Sequence, residues 1–354
     1  MPSDASSVKL LNVQSLRAYG ALAVAFYHTG FSLGIGLGRP IGSFGVSIFF
    51  VISGFIMAMI CDGNPQHFLA RRISRIVPLY WLLTLLVFLI ANVRPSLVGG
   101  TNADGSALIK SLLFIPYRSH GTYFPILFLG WSLNYEMYFY LLIAAALVIH
   151  KRNAPLVAAG VMVVVLVGLR AAHAGETAMF YAQPIVLEFV LGILCYYGFR
   201  ALPRERILAA RGLLGFAIVV AAATMIAAAI STIGPRNAVI VGFTSTILVF
   251  SAVLLDKAGL SLRWPTLILL GDASYVIYLV HPYCEEALNK IVARSFPLLG
   301  TKTLIGMPLA LGVTIFVSIL LYRFVDNPLH VFFRNLLSRP AALPKVTRSV
   351  ESAS

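Results

Sequence analysis

Apolar runs, each about as long as a helix needs to cross the roughly 30 Å core of a bilayer, alternate with short polar connections along most of the chain. The pattern predicts an all-α fold, a polytopic membrane helix bundle of about ten transmembrane helices. The predicted spans are Val13–Leu33, Phe44–Ile60, Val77–Val93, Ile126–Ile149, Leu156–Leu169, Gln183–Phe199, Leu213–Ile230, Ala238–Leu255, Thr266–Val280 and Thr303–Tyr322. The fifth is short, and losing it would invert everything after it. Residues 1–335 are expected to form one integral-membrane domain, and 336–354 a basic, disordered tail.

Polar residues inside these runs are the informative positions. Arg17 and His28 interrupt the first span. Eleven positions at about 100° each return to within roughly 20° of one helix face, about 16 Å apart along the axis. Both are therefore expected on one interior seam. The competing readings are an interfacial snorkelling arginine and a satisfied polar histidine. The second span brings Gly42, Gly45 and Gly54 together with Ser43, Ser47 and Ser53. Such a surface lets another helix, or a narrow ligand chain, come close. Arg71, Arg72 and Arg75 follow in an amphipathic stretch that Pro78 turns into the third span. They can serve topology alone or grip an anionic ligand beside a membrane cavity.

Glu136 is an acid inside an aromatic, apolar segment, costly there unless protonated, paired or hydrated. Trp131 and Tyr135 beside it are candidates to face substrate, with interfacial belt or packing roles as the alternative. Glu188 reads as a contact within the bundle. Asp272 and His281 fall in one predicted helix, nine positions and so about 180° apart. They cannot both face one cavity unless Pro282 or a bend intervenes; Asp272 would hold a hydroxyl or basic group near one end, and His281 would meet an acceptor at the other. Arg323 and Asp326 are spaced to meet, and Pro328 is expected to end the last helix. The 94–125 connection, the longest, is a candidate lid.

Of the 354 residues 59% are hydrophobic and 11% charged, with a mean hydropathy of +0.88, which leaves too few charges for a water-soluble surface. The formal charge of +14 sits mainly at the ends of apolar runs, where topology and anionic headgroups account for it, and no nucleic-acid module accompanies it. Placing the N-terminus inside collects Arg71, Arg72, Arg75, Lys151, Arg152, Arg200, Arg204 and Arg206 on the cytoplasmic side, so both termini are expected in the cytoplasm of a multi-pass plasma-membrane protein. Cys61, Cys195 and Cys284 have neither metal nor disulfide spacing, and no cleavable signal is expected. No metal site is expected.

Several blocks are more specific together than apart: Arg17 with His28, GSFGVSIFFVISGF (Gly42–Phe55), RRISRIVPLY (Arg71–Tyr80), WSLNYE (Trp131–Glu136), SYVIYLVHP (Ser274–Pro282) and YRFVDNP (Tyr322–Pro328). Over almost the whole chain they resemble the bacterial acyltransferase-3 family of integral-membrane O-acyltransferases. One departure is Asp326, where family members commonly carry glutamate. The resemblance implies transfer of an acyl group, typically acetyl, from cytoplasmic acyl-CoA to a hydroxyl of an exported or cell-surface glycan in the bacterial inner membrane. It implies acyl-CoA as donor co-substrate with no permanently bound cofactor. An exported glycan or lipid-linked saccharide would be the acceptor, and polysaccharide synthesis or export machinery a partner. By resemblance His28 is catalytic, and Arg17, Arg71, Arg72 and Arg75 handle the donor.

The residues reach the same reaction class independently. An imidazole, which titrates near neutrality, can take the proton of a sugar hydroxyl as it attacks a thioester. His28 would be that base and Glu136 its partner, while Ser47 and Ser53 would line a slot for the pantetheine arm. The rival is a proton-coupled transporter or exporter of a sugar or polysaccharide intermediate that uses His28, Glu136 and Asp272 as a relay.

Overall fold

The structure, a computed structural model, describes residues 10–32, 39–98, 104–119, 121–230, 238–292, 296 and 305–337. In chain order the helices are α1 (Leu11–Ser32), α2 (Arg39–Gly63), α3 (Phe68–Val93), α4 (Gly105–Leu112), α5 (Trp131–Ile149), α6 (Ala154–Ala171), α7 (Glu176–Tyr181) and α8 (Leu187–Ala201). They continue as α9 (Arg204–Ala209), α10 (Arg211–Ile230), α11 (Ala238–Ala258), α12 (Pro265–Asp272), α13 (Ser274–Ala287), α14 (Gly306–Leu321) and α15 (Asn327–Leu337). No sheet forms among the described residues; Ser119 and Thr122 make an isolated bridge.

Eight helical runs among the described residues are long and apolar enough to cross a membrane, and α12 with α13 makes a ninth if the bent pair is one span. Among the described residues each of the ten predicted segments is mainly helical. The one that falls short in apolarity is α1, which carries Gln14, Arg17 and His28. Its neighbours rather than lipid cover it: Ala18, Ala21 and Ala25 are fully buried. The outer helices behave oppositely. Leu85, Leu86 and Leu89 of α3, Val164 and Val167 of α6, and Phe216 and Val219 of α10 are exposed, as suits helices whose solvent is hydrocarbon.

Small residues decide how closely the inner helices cross. A Cβ on Gly54 of α2 would collide with the Phe189 carbonyl of α8, and one on Gly192 with the Val51 carbonyl. The backbones therefore touch directly, the arrangement that small residues allow in membranes. Gly45 likewise meets Gly20 of α1. The small-residue surface of α2 is thus mainly a helix-packing device, and only Ser53 of its serines reaches the cavity described below.

The end of the bundle where α1 begins, here the first face, is tied by long-range polar contacts. The Asp256 carboxylate of α11 accepts from the Asn12 backbone N–H at 3.0 Å and from Val13 N–H at 3.4 Å, capping α1 from another helix. Lys257 donates to the Phe199 and Leu202 carbonyls at the end of α8. Arg200 pairs with Asp62 at 2.8 Å. At the opposite face the described part of the 94–125 connection includes α4, which packs on α3, with Tyr80 donating to the Ser111 carbonyl and Trp81 to that of Leu112. His120 of this connection and residues 338–354 of the expected tail lie outside the described residues.

Two predicted details are corrected. The ninth span is not one regular helix: it breaks at Ala273 with a 74° bend, so Asp272 ends α12 while His281 belongs to α13. Pro328 does not stop the last helix. A π-helical turn over Tyr322–Asp326 follows α14, and Pro328 falls in the first turn of α15, where a missing N–H costs little.

Candidate active site

A cavity of about 320 Å3 opens among α1, α2, α3, α5, α13 and α15. At its first-face end stand Arg72, Arg75, Met57, Tyr140 and His330; Arg17 and Glu136 lie deeper, and Ser132, Tyr278 and Phe49 close it above. The polar residues of α1, α3 and α5 converge here because each lies on the buried side of a helix whose other side is apolar.

The cations are not equivalent. Arg75 Nη1 lies 2.8 Å from Asp326 Oδ2, its Nη2 lies 3.5 Å from the Asp272 carbonyl, and its guanidinium sits over the Tyr275 ring. Arg75 is committed to holding the π turn against α3 and α13. The predicted Arg323–Asp326 contact is replaced by this pair, since the π turn shifts the register that three-residue spacing assumes. Arg17 instead donates to Gln14 Oε1 at 3.2 Å and has no carboxylate within ion-pair distance among the described residues. Arg72 is likewise without an ion pair, and its Nε is buried with no hydrogen-bond partner among them. Arg71 donates to the Asn64 carbonyl and does not line the cavity. Arg17 and Arg72 are therefore the cations of this wall left to an anion.

Glu136 accepts from Tyr140 and, at 3.3 Å, from Ser53. It acts electrostatically on Arg17 and Arg72, and Asp272 also acts on Arg17. Ser47 is elsewhere: with Glu188 at 2.7 Å it forms a buried contact between α2 and α8. Tyr135 is buried against Phe180, whose carbonyl it hydrogen-bonds, and Trp131 packs edge-on to Tyr135; neither lines the cavity.

His28 does not line it either. Its Nδ1 lies 2.9 Å from His281 Nε2 and 3.1 Å from the Val24 carbonyl. His281 is fully buried, and its own Nδ1 lies 3.1 Å from the Ile277 carbonyl. A carbonyl oxygen only accepts, so His281 Nδ1 carries a proton, and its Nε2 accepts when the ring is neutral. Both groups facing His28 Nδ1 are then acceptors. That nitrogen carries the second proton, and His28 Nε2 keeps a lone pair. One residue on, Thr29 is hydrogen-bonded to Glu285 Oε1 at 2.6 Å, a buried acid one turn beyond His281.

The arginine cavity and the histidine pair are adjacent. Tyr278, whose hydroxyl lies 2.8 Å from Ser132 Oγ, forms the roof, and the centroid of its ring is 6.5 Å from that of His281. Arg17 and His28 do share a seam, on opposite sides of that roof, whereas Glu136 keeps company with Arg17 rather than with His28. The site includes Ser132, Tyr278, Glu285 and His330, none of them singled out from sequence. Tyr278 had a legible signal, lying three positions before His281 and so on the same helix face. His330 had none, because Pro328 hid the helix that carries it.

A sequence profile describing an acyltransferase domain matches residues 10–323. The chain is similar to the exopolysaccharide production protein ExoZ of Rhizobium meliloti (strain 1021), at 32% identity over 82% of this chain and 90% of the relative. It is also similar to the acyltransferase MdmB of Streptomyces mycarofaciens, at 29% identity over 91% and 92%. A shorter stretch, 22% of this chain and 24% of the relative, is 39% identical to a putative acetyltransferase of Acidianus two-tailed virus. No solved structure matches. With a helical membrane bundle and a matching profile over most of its length, the chain belongs to the acyltransferase-3 family of membrane acyltransferases.

Proposed function

We propose that the protein transfers an acyl group, acetyl in the first instance, from acyl-CoA to a hydroxyl of an exported glycan, with His28 as general base. The observation that carries this is the His28–His281 contact at 2.9 Å just beyond a cavity walled by Arg17 and Arg72, neither of them ion-paired among the described residues. The donor enters from the first face, the cytoplasmic one in this reading. Its phosphates meet Arg17 and Arg72, and its slim thioester arm runs past Ser53 and Glu136 toward the roof. The acceptor approaches from the opposite face. An exopolysaccharide is favoured because the relative from Rhizobium meliloti is named for exopolysaccharide production.

In the reaction His28 Nε2 removes the acceptor hydroxyl proton as that oxygen attacks the thioester carbonyl. A C–O bond forms, the C–S bond breaks, and the proton on His28 passes to the departing sulfur, giving CoA–SH. His28 is transiently an imidazolium, and the neutral Nε2 of His281 receives its Nδ1–H, as a carboxylate does in a hydrolase triad. Ser132 and Tyr278 have hydroxyls near the reacting carbonyl's route, where they can stabilise its oxyanion.

The test is His28→Ala in purified protein reconstituted in bilayers, following CoA release and labelled acetyl transfer to candidate glycans. Loss of both, with CoA binding and thermal stability kept, is the expected result. Transfer at the wild-type rate would remove His28 from the chemistry, and solute flux without thioester consumption would overturn the whole reading.

A further inference from the structure

The matched profile ends at Arg323, yet the cavity wall does not. After the π turn, α15 returns along the start of α3 and inserts His330 into the wall beside Arg72 and Arg75. His330 Nδ1 lies 3.1 Å from the carbonyl of Ser74, itself a buried residue. That carbonyl only accepts, so Nδ1 carries a proton and the ring is held in one orientation. Nε2 is the nitrogen left for a ligand. The register is held as well, because the 2.8 Å pair between Asp326 and Arg75 anchors the turn immediately before α15.

We infer that His330 is a donor-binding residue, which as an imidazolium donates its Nε2–H to a phosphate oxygen of the thioester donor at the mouth of the cavity. The inference rests on the donor site proposed above and extends it to a helix beyond the matched profile. Its chemistry differs from that of the arginines. Arg334, Arg72 and Arg75 lie around His330, and Asp326, already paired, is the acid near it. A phosphate seated among these cations supplies the negative charge that an imidazolium pairs with, and the ring takes up a proton from solvent as the donor seats. The same nitrogen can meet a lipid phosphate, since α15 also exposes Phe332 and Leu336. The two sources of phosphate are separable.

The experiment measures binding of CoA and of pantetheine, which lacks every phosphate, to full-length protein in phosphatidylcholine nanodiscs. The proteins are wild type, His330→Ala, His330→Lys and Arg72→Ala. His330→Ala is expected to weaken CoA about tenfold, the loss typical of one charge-assisted hydrogen bond, and to leave pantetheine unchanged. His330→Lys, which restores a cation, recovers most of the CoA affinity. Equal losses for CoA and pantetheine, or none for either, would overturn the assignment. So would a loss seen only when phosphatidylglycerol is added, which would give the ring to lipid. If Arg72→Ala loses CoA while His330→Ala does not, the donor site stands and His330 falls; if the wild type binds no CoA, both fall.

Discussion

His281, fully buried on α13, meets His28 of α1 at 2.9 Å and leaves the lone pair of the more exposed ring on Nε2. In the proposed reaction the buried histidine acts through the other, as a positioning residue. Replacing His281 with Leu removes the acceptor for His28 Nδ1–H and is expected to lower kcat about a hundredfold, with little change in KM for the donor. His281→Gln, whose amide oxygen can still accept, should retain clearly more activity than His281→Leu. Steady-state kinetics beside thermal unfolding separates this from a packing defect, which would not distinguish the two variants at equal stability.

Arg75 and Arg72 are near neighbours in sequence with different work. Asp326→Asn leaves Arg75 without its counter-charge in a wall where Asp326 is almost wholly buried. A loss of about 2 kcal/mol is expected, less than for a fully enclosed pair because Arg75 is 24% exposed. Asp326→Glu should restore most of it. Arg72→Ala, by contrast, should leave the melting temperature nearly unchanged and weaken CoA binding about tenfold or more, an effect that shrinks as salt is raised. Melting curves and CoA titrations at two ionic strengths test both.

Tyr278 lies between the arginine-walled cavity and the histidine pair. Removing its ring in Tyr278→Ala opens that partition, and acceptor-independent hydrolysis of the thioester should rise several-fold as water gains access, while CoA affinity holds. Tyr278→Phe keeps the ring and loses the bond to Ser132, so its hydrolysis should fall between the two. CoA–SH release without any glycan is the readout. An unchanged rate in Tyr278→Ala would mean that the roof does not gate water.

The α2–α8 crossing tolerates no side chain. Gly54→Ala would put a methyl group into the Phe189 carbonyl, which the backbone must move to admit. A destabilisation of about 2 kcal/mol is expected, and Gly63→Ala, where nothing lies within 4 Å of the added methyl, is the control that should show none. Detergent-resistance or thermal-shift assays on both variants check it.

Much of this was legible in the chain. Runs of apolar residues with charges at their ends fix helices, spans and their approximate limits, since a bilayer imposes length and backbone satisfaction on every crossing segment. The intramembrane Arg17, His28 and Glu136 stand out for the same reason, because polar groups at that depth are costly without a task or a partner. Partners are another matter. That His28 meets His281 rather than Glu136, that Ser47 serves Glu188 while Ser53 reaches the cavity, and that Asp326 holds Arg75 all follow from which helices lie side by side. A helical repeat gives the face a residue occupies, not the neighbour it faces. The break at Ala273 and the π turn at Tyr322–Asp326 rotate the segments after them, so His281 and His330 reach their places only through distortions that a regular period does not contain.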